Sequence, residues 1–378
     1  MFRPDTDGPV DPVTIQPVRR FAVFLGQLLL VLVLLELLLH IYNPLPFRVR
    51  GNRIVLPVHQ RYTFRNDDPG KLDAVTYHTK NSLGFRGPDP PKDFARRLTI
   101  VTIGGSTTEC LLLSDGHTWT DVMARRLQQS FPDIWVNNAG LDGQSTYGHL
   151  VLLREYVDAL RPRVAVFLIG VNDIGLDAGN TFDASLAPVP SRLRAAAAFL
   201  ADHVELAALT QNLVRVARAR NAGFGHTVQL DLKTIQRLQH DDATTAATIR
   251  KFSGTLPAFA SRVAAIVDEC RRHGIEPVLV TQPALYGDGI DPATGVDLST
   301  VQTSGAANGR LWWKVLELYN DVTRRTAKER GVFLIDAALE LPKDSRIFYD
   351  FMHFSNEGAI RLGDIIASHL EPFLRTRS

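Results

Sequence analysis

The residues best suited to chemistry are a serine, a glycine, an asparagine and an aspartate–histidine pair. They occur in four separated blocks, at Ser106, Gly140, Asn172, Asp350 and His353. A serine hydroxyl is a weak nucleophile and needs an adjacent base. His353 is predicted to be that base, and Asp350, three residues earlier, is predicted to hold the imidazole in the correct tautomer. With this support from His353 and Asp350, the Ser106 hydroxyl would attack an acyl carbonyl such as that of an ester.

The same blocks supply candidate donors for the oxyanion that forms when a carbonyl is attacked. The backbone N–H groups of Ser106 and Gly140 and the side-chain amide of Asn172 are predicted to form this oxyanion hole. Each block alone has a simpler explanation, since Gly140 can be a turn glycine and Asn172 a helix cap. The four blocks follow in order, each at the end of a predicted strand or before the last helix, and this conjunction favours one catalytic site.

Two other interpretations of the first block, GGST, are disfavoured. A phosphate-binding loop needs a Gly-Lys-Ser/Thr ending, and here Glu109 stands where a cation would help. The G-x-S-x-G elbow of the α/β-hydrolases does not occur around any serine of the chain. The block is therefore assigned to the nucleophile and its own N–H.

Strands and helices alternate from about residue 97, and these elements must position the blocks. The apolar runs predicted as strands are RLTIVTIGG, DIWVNNAG, RVAVFLIG, GIEPVLVTQP and GVFLIDAA. Helices are predicted over TWTDVMARRLQQSF and over residues 146–160, 257–273, 310–329 and 355–374. This alternation predicts a five-stranded parallel sheet with helices on both faces, in which ligands bind at the carboxyl ends of the strands.

Two further regions precede or interrupt this pattern. Residues 43–95 contain several prolines and are interpreted as a stalk with short strands that packs on the main domain of residues 96–378. Within it, NSLGFRG indicates a tight turn with a buried Phe85, and Arg86 is assigned to a structural ion pair in preference to a place in the site. The helical insertion at about 174–255 is either a lid over the site or a packing element.

The apolar run FAVFLGQLLLVLVLLELLLHIY, residues 21–42, is long enough to cross the ~30 Å core of a bilayer. It is interpreted as an uncleaved transmembrane helix after a cytoplasmic tail at residues 1–20, because no small-residue cleavage site follows it and a buried core helix would keep a polar face. Glu36 is expected to reach the interface or to meet a partner helix. The excess of positive charge that normally marks the cytoplasmic side does not decide the orientation of this helix. Arginines stand on both sides of it, at positions 19 and 20 before the run and at 48, 50 and 53 after it.

The composition is that of a globular protein, with 45% hydrophobic and 22% charged residues among 378. The net charge is +2 and no basic cluster with interleaved aromatic residues occurs, so no nucleic-acid partner is expected. Cys110 and Cys270 form neither a disulfide framework nor a C-x-x-C site; buried free thiols are favoured, and whether the two pair is left open. His240, Asp241 and Asp242 are interpreted as solvated surface of the polar insertion. Asp288, Asp291 and Asp297 lack the spacing of a calcium loop, so neither a metal nor a cofactor is expected.

The blocks GGST, NAG, GVND and DFMH resemble those of the SGNH (GDSL-type) hydrolases. The resemblance covers about residues 97–372, and the four letters of the family name fall on Ser106, Gly140, Asn172 and His353 in order. GGST stands where GDS is often found. The resemblance implies a flavodoxin-like three-layer α/β/α sandwich. The segment TYHTKNSLGFRG is also similar to bacterial members with an amino-terminal membrane anchor, which implies a catalytic domain outside the cytoplasmic membrane.

These observations predict a single-pass serine esterase of the bacterial inner membrane with a periplasmic catalytic domain. The expected substrate is an ester, and the resemblance permits an O-acetyl group on a cell-surface glycan. An acyltransferase with the same acyl-enzyme and a membrane acyl-donor partner is the second candidate, followed by a lipid esterase or thioesterase. A non-catalytic binding module is disfavoured because Ser106, Asp350 and His353 are all kept. The acyl length and the oligomeric state are left open.

Overall fold

The structure is a computed structural model of the chain, and it describes residues 15–42, 49–66, 70–176, 183, 192–221, 230–303 and 305–377. Most of the predicted tail at residues 1–20, and parts of the regions predicted as stalk and insertion, lie outside these ranges. The described part of the tail is helical, because the first helix begins at Ile15 instead of at residue 21.

Strands and helices are numbered in chain order. The strands are β1 Val49–Arg50, β2 Arg53–Ile54, β3 Gln60–Arg65, β4 Val75–Lys80, β5 Thr99–Gly104, β6 Trp135–Asn138, β7 Val164–Leu168, β8 Glu276–Val280 and β9 Phe333–Ile335. The helices are α1 Ile15–Ile41, α2 Ser106–Glu109, α3 Trp119–Gln128, α4 Thr146–Leu152, α5 Asp158–Leu160, α6 Arg192–His203, α7 Glu205–Asn221, α8 Asp242–Ser253, α9 Leu256–Arg272, α10 Gly309–Arg330, α11 Ala337–Glu340 and α12 Asn356–Arg375. A π-helical stretch, Leu153–Val157, joins α4 to α5.

The centre of the fold is a five-stranded parallel sheet in the order β6-β5-β7-β8-β9. Adjacent strands are in register along their length, with Thr102 paired to Val166 and Val166 to Val278. All residues of β5, β6 and β7 are buried, which is typical of parallel strands covered on both faces. The predicted five-stranded α/β fold is therefore confirmed, with the strand order of a flavodoxin-like sheet.

Side chains alternate between the two faces of this sheet and define two helical layers. On one face, Ile100, Val166 and Val278 belong to a core that also contains Trp119 of α3 and Leu362 of α12. Helices α4, α9 and α10 pack together as a second group. The two layers and the sheet form the three-layer α/β/α sandwich.

The described residues from Asn52 up to β5 belong to the same compact unit as the sheet, which comprises 52–189 and 214–378. Strands β3 and β4 pair as an antiparallel hairpin, from Gln60 opposite Lys80 to Arg65 opposite Val75. Phe85 is fully buried, and Arg86 pairs through its backbone with Asn138 at the end of β6. Much of the segment predicted as a stalk is therefore packed beside the strand ends.

A second compact unit contains α1, α6 and the first half of α7, over residues up to 51 and 190–213. Within α1, residues Arg19–Ile41 form a helix that is long and apolar enough to cross a membrane. Side chains from Arg19 to the end of this helix are exposed, apart from Glu36 and Leu39, which are half-buried. The second unit thus joins the predicted anchor to part of the predicted insertion.

Candidate active site

The nucleophile candidate lies on a tight turn between β5 and the single helical turn α2. Strand β5 ends at Gly104, and α2 begins at Ser106 with Gly105 as its cap. A Cβ atom on Gly104 would lie 2.6 Å from the carbonyl oxygen of Leu168, and one on Gly105 would lie 2.1 Å from Nδ2 of Asn172. Both glycines are needed for this close packing, which explains why two of them precede the serine.

Ser106, His353 and Asp350 form a continuous chain of hydrogen bonds. His353 Nε2 lies 2.7 Å from Ser106 Oγ, and His353 Nδ1 lies 2.6 Å from Asp350 Oδ2. A carboxylate only accepts, so Nδ1 donates to Asp350 and Nε2 is left to accept from the serine hydroxyl. All three residues are more than nine-tenths buried. The arrangement can therefore move a proton from the serine to the histidine.

The loop that carries the aspartate and the histidine is fixed by its own backbone. Asp350 Oδ1 accepts from the N–H groups of Met352 at 2.9 Å and His353 at 2.7 Å. Burial by itself raises the pKa of the Asp350 carboxyl, but His353 and these two N–H groups lower it more, so the net pKa is below its ordinary value. The ring of Tyr349 stacks on that of His353 with 5.5 Å between centroids. These contacts keep Asp350 ionised and the imidazole in one orientation.

Gly140 and Asn172 both lie against the serine turn. A Cβ atom on Gly140 would lie 2.3 Å from the backbone nitrogen of Glu109, so only glycine fits there. Asn172 Nδ2 donates to the carbonyl oxygen of Gln144 at 2.9 Å, which leaves its second amide hydrogen for another acceptor. The N–H of Ser106 is at the first position of α2, where a backbone donor has no partner within the helix.

The Gly140 N–H, predicted as an oxyanion donor, already has an acceptor. It donates to Oδ1 of Asn138 at 2.8 Å, while Nδ2 of Asn138 donates to the carbonyl oxygen of Thr108 at 2.6 Å. Asn138 therefore links the glycine loop to the serine turn. An oxyanion would have to share this N–H with Asn138. Within the described part of the chain, the N–H of Ser106 and the second amide hydrogen of Asn172 have no hydrogen-bond acceptor.

Two cations in the region predicted as a stalk hold the end of the serine turn, and sequence reasoning did not assign this role. Arg86 donates through Nη1 to the carbonyl oxygens of Glu109 and Cys110, and through Nη2 to Leu113 and Asp115. The predicted ion pair of Arg86 is thus one of four contacts. Because backbone carbonyl acceptors leave no residue-type signal, the pattern around Arg86 could not reveal them.

The second cation, Lys80, forms a buried ion pair with Glu109. Lys80 Nζ lies 3.0 Å from Glu109 Oε1, and the other oxygen of Glu109 accepts from the backbone N–H of Asp142 at 2.6 Å. Burial, followed by the charges of Arg86 and Lys80, lowers the pKa of neighbouring His78 to about 3, so His78 is neutral. Glu109 therefore connects the serine turn to the loop that follows Gly140.

A second buried network supports the loop that holds Asn172. Asp173 accepts from the backbone N–H of Thr146 at 3.2 Å, and Arg262 donates to Oγ1 of Thr146 at 2.7 Å and to Asp173 at 3.4 Å. Burial raises the pKa of Asp173 to about 7, even though Thr146 and Arg262 act in the opposite direction. This carboxyl is too deeply buried to be a substrate contact, and we assign it to structure.

Apolar side chains flank the site on the side of Asn172 and Asp350. A half-buried group packs against buried Ala284, Tyr286 and Leu316; its members are Val171, Ile174, Trp312, Trp313 and Phe351. Val171 precedes Asn172, and Phe351 follows Asp350. The two tryptophans are half-buried members of this apolar flank.

The acidic residues considered as metal ligands have other partners. Asp241 caps α8 by accepting from Thr244, and Asp288 pairs with Arg310. Among the described residues, Asp158, Glu269 and His273 have ligand atoms within 4.8 Å of one another. The two oxygens of Glu269, however, pair with Arg154 at 3.0 Å and Arg272 at 2.6 Å, so this cluster is already neutralised by cations.

Comparison with known proteins gives one family match. Residues 102–359 match the GDSL-like lipase/acylhydrolase family. No curated protein sequence is significantly similar to the chain.

Solved structures of the same type are similar at low identity. An acetyl xylan esterase from Geobacillus stearothermophilus is 16% identical, with 73% of this chain and 93% of the other covered and a TM-score of 0.40. A GDSL-like lipase from Bacteroides thetaiotaomicron VPI-5482 is 12% identical, with 77% and 93% covered and a TM-score of 0.38. The acetyl xylan esterase AlAXEase is 14% identical, with 71% and 98% covered and a TM-score of 0.40.

Proposed function

Because the chain belongs to the GDSL-like lipase/acylhydrolase family and is an ester-bond hydrolase, we propose that it is a serine esterase with an acyl-enzyme on Ser106. The observation that carries this proposal is the hydrogen-bonded chain from Ser106 Oγ through His353 to Asp350. A serine is activated for acyl transfer when it is hydrogen-bonded to a base that is itself hydrogen-bonded to an orienting carboxylate.

In the first half of the proposed reaction, Ser106 Oγ attacks the ester carbonyl as its proton passes to Nε2 of His353. The C–O bond to the alcohol then breaks, and the same proton is returned to the leaving oxygen. In the second half, His353 accepts a proton from water as the water oxygen attacks the acyl carbon. The bond from that carbon to Ser106 Oγ then breaks, His353 returns the proton to Ser106 Oγ, and the acid is released. Asp350 stays ionised throughout and stabilises the imidazolium that forms twice in each cycle.

The oxyanion is proposed to accept hydrogen bonds from the N–H of Ser106 and from the second amide hydrogen of Asn172. The N–H of Gly140 would be a third donor, shared between the oxyanion and Oδ1 of Asn138. Donors fixed in a buried site stabilise developing charge without reorganising at the moment of reaction. The packing of Gly105 against Asn172 and of Gly140 against Glu109 supports this role, because these contacts hold the donors beside the nucleophile.

For the substrate we propose an O-acetyl ester on a cell-surface glycan. The apolar flank, which includes Trp312 and Trp313, contains the sequence neighbours of Asn172 and Asp350, and binding sites commonly combine apolar surface with a few polar groups. Membrane attachment through α1, with Arg19 and Arg20 on the cytoplasmic side, would hold the catalytic unit in the periplasm near such a glycan.

An acyltransferase is the second candidate, and the apolar helix α1 is the observation that favours it. A membrane partner could deliver acyl groups to Ser106, and a sugar hydroxyl would then replace water in the second half of the reaction. Both functions share the acyl-enzyme, so they differ only in the acceptor.

The first experiment tests the nucleophile in the full-length protein in detergent. We expect a fluorophosphonate probe to give one adduct, located on Ser106 by mass spectrometry and absent from Ser106→Ala and His353→Ala. The matched controls are Ser261→Ala, at an exposed position, and His369→Ala, at a half-buried position where the imidazole pairs with Glu340. An adduct on another residue, or one unchanged in His353→Ala, would contradict the proposal.

The second experiment identifies the acceptor and the acyl length. Release of acetate from an O-acetylated polysaccharide, with little turnover of long-chain 4-nitrophenyl esters, is the expected result for a glycan esterase. Transfer of the acetyl group to added oligosaccharide in preference to water would favour the acyltransferase. Faster turnover of long-chain esters would favour a lipid esterase instead.

A further inference from the structure

The insertion after β7 raises the question of what its exposed apolar helices contact. We infer that α6 and the first half of α7 lie in the lipid interface of the membrane that α1 spans. This inference rests on the membrane attachment proposed above. It assigns this part of the insertion to membrane binding, where the sequence left a lid or a packing element as the alternatives.

The first observation is a polar connection between α1 and the corner that joins α6 to α7. Oε1 of Glu36 accepts from the backbone N–H of Glu205 at 2.7 Å, and Oε2 accepts from that of Leu206 at 3.0 Å. A carboxylate from the apolar helix thus caps the N-terminus of α7, where the helix dipole favours negative charge. Glu36 is therefore satisfied within this unit and needs no separate partner helix.

The corner is also fastened by a cation. Arg50 donates through Nη2 to the carboxylate of Glu205 at 2.6 Å and through Nε to the carbonyl oxygen of Ala201 at 3.1 Å. Arg50 thereby neutralises one of the two carboxylates at the corner and satisfies a carbonyl near the end of α6. The contacts of Glu36 and Arg50 together hold the corner between α6 and α7 at one position along α1.

The position of Glu36 along α1 sets the depth of this corner. Glu36 is five residues before Ile41, the last residue of the helix, which at about 1.5 Å per residue is roughly 7–8 Å from its end. Amphipathic helices that lie on membranes bury their apolar faces about 5–10 Å into the boundary between headgroups and acyl chains. The corner is therefore at the depth of the interface where α1 leaves the membrane.

The second observation is the apolar surface of α6 and α7. Residues 195–201 of α6 read AAAAFLA, without a polar side chain. The large apolar side chains are exposed: Leu193 by 84%, Phe199 by 62%, Leu200 by 51% and Leu213 by 61%. The apolar face of a helix is normally buried against a partner, and large exposed apolar patches mark interaction sites.

Lipid is the occupant that both observations favour. The exposed side chains of α1 face the bilayer once it spans the membrane, and the apolar surface of α6 is connected to α1 at interface depth through Glu36. Arg192, at the start of α6, is exposed and can direct its guanidinium toward headgroups.

The test uses the full-length protein in nanodiscs of phosphatidylcholine and phosphatidylglycerol. The variants Leu34→Cys, Phe199→Cys and Leu339→Cys place a polarity-sensitive fluorophore on α1, on α6 and on an exposed position of the catalytic unit. The native Cys110 and Cys270 are buried, and unsubstituted protein controls for their labelling. Lipids spin-labelled near the headgroup end of the acyl chain are then added as quenchers.

We expect the probes at positions 34 and 199 to emit as in an apolar environment and to lose about half or more of their emission to the spin-labelled lipid, whereas the probe at position 339 is unaffected. Quenching at 34 combined with unquenched, water-like emission at 199 would overturn this inference and leave the anchor intact. Apolar but unquenched emission at 199 would also overturn it, in favour of a protein occupant such as a second copy.

Absence of quenching at position 34 would remove the premise of a membrane span, and the inference with it. Fluorophosphonate labelling of Ser106 is measured in the same samples. It reports on the proposed esterase chemistry separately, so a failure of the membrane assignment and a failure of the catalytic assignment give different results.

Discussion

Arg86 Nη1 lies 2.7 Å from the carbonyl oxygen of Cys110, directly after the single helical turn that begins with Ser106. The same nitrogen donates to the carbonyl oxygen of Glu109 at 2.8 Å. Carbonyl groups at the end of a helix lack partners within it, and here a buried guanidinium satisfies them. The position of the nucleophile therefore depends on a residue twenty positions earlier in the chain, outside every motif block.

Substitution of Arg86 is expected to weaken both folding and catalysis. In Arg86→Lys a compact ammonium replaces a planar fork, so at least one buried carbonyl among those of Glu109, Cys110 and Leu113 loses its donor, at a cost of about 1–3 kcal/mol. Urea unfolding and the rate of fluorophosphonate labelling measure the two effects. Arg126→Lys, at an exposed pair with Asp364, is the matched control. Equal results for the two variants would argue against a supporting role for Arg86.

Gly105→Ala is expected to separate Asn172 from the serine turn. The new Cβ atom would lie 2.1 Å from Nδ2 of Asn172, so the amide or the turn must move. A displaced oxyanion donor typically costs about 10²–10³-fold in rate, and we expect that loss in kcat for a 4-nitrophenyl acetate assay. Gly254→Ala is the control, because its Cβ atom would be an ordinary 3.6 Å from the nearest atom. An active Gly105→Ala variant would show that Asn172 is not a donor in this geometry.

The sheet and the residues of the site were predictable because their signals are local. Strands β5 and β7 are buried on both faces, which requires continuous apolar runs, and Ser106 and Asn172 follow those runs directly. The structure brings the predicted Ser106, Asp350 and His353 within hydrogen-bond distance along one chain.

Other features depend on contacts that leave no trace in a local pattern. The direction of the Gly140 N–H is set by the side chain of Asn138, and a sequence motif does not specify a side-chain conformation. The predicted helix over 146–160 contains a π-helical stretch, Leu153–Val157, that the apolar periodicity did not reveal. The partner of Glu36 lies 169 positions away, in a helix whose place relative to α1 only the folded chain shows.

Asn172 is expected to act in the transition state and not in substrate binding. Asn172→Ala should lower kcat by about 10²–10³-fold with little change in KM, because its amide bonds the oxyanion more strongly than the carbonyl of the substrate. Asn172→Asp should be slower still, since a carboxylate repels the oxyanion. Steady-state kinetics on 4-nitrophenyl acetate measure both, with the exposed Asn52→Ala as control. A rise in KM at constant kcat would instead indicate a binding role.

The buried carboxyl of Asp173 is expected to make stability depend on pH. Burial raises its pKa from an ordinary value of 3.8 to about 7, so the folded protein retains a proton that the unfolded chain has released. The stabilising contribution is therefore complete below about pH 3.8, where both states are protonated, and is lost as the pH rises through 7. The pKa of Asp350 is lowered, so its contribution to stability is lost as the pH falls. The dependence of wild-type unfolding free energy on pH therefore combines the two effects.

Asp173→Asn isolates the first effect, because an amide of nearly the same shape stays neutral at every pH. The difference in unfolding free energy between the variant and the wild type should move in favour of the variant from pH 5 to pH 8, by about 1.4 kcal/mol for each unit of pKa difference that this range samples. Urea unfolding at four pH values measures it, and Asp321→Asn, at an exposed carboxylate, is the matched control. A difference that stays constant with pH would mean that Asp173 titrates in the folded protein as it does in the unfolded chain, and that Arg262 and Thr146 fully compensate for its burial.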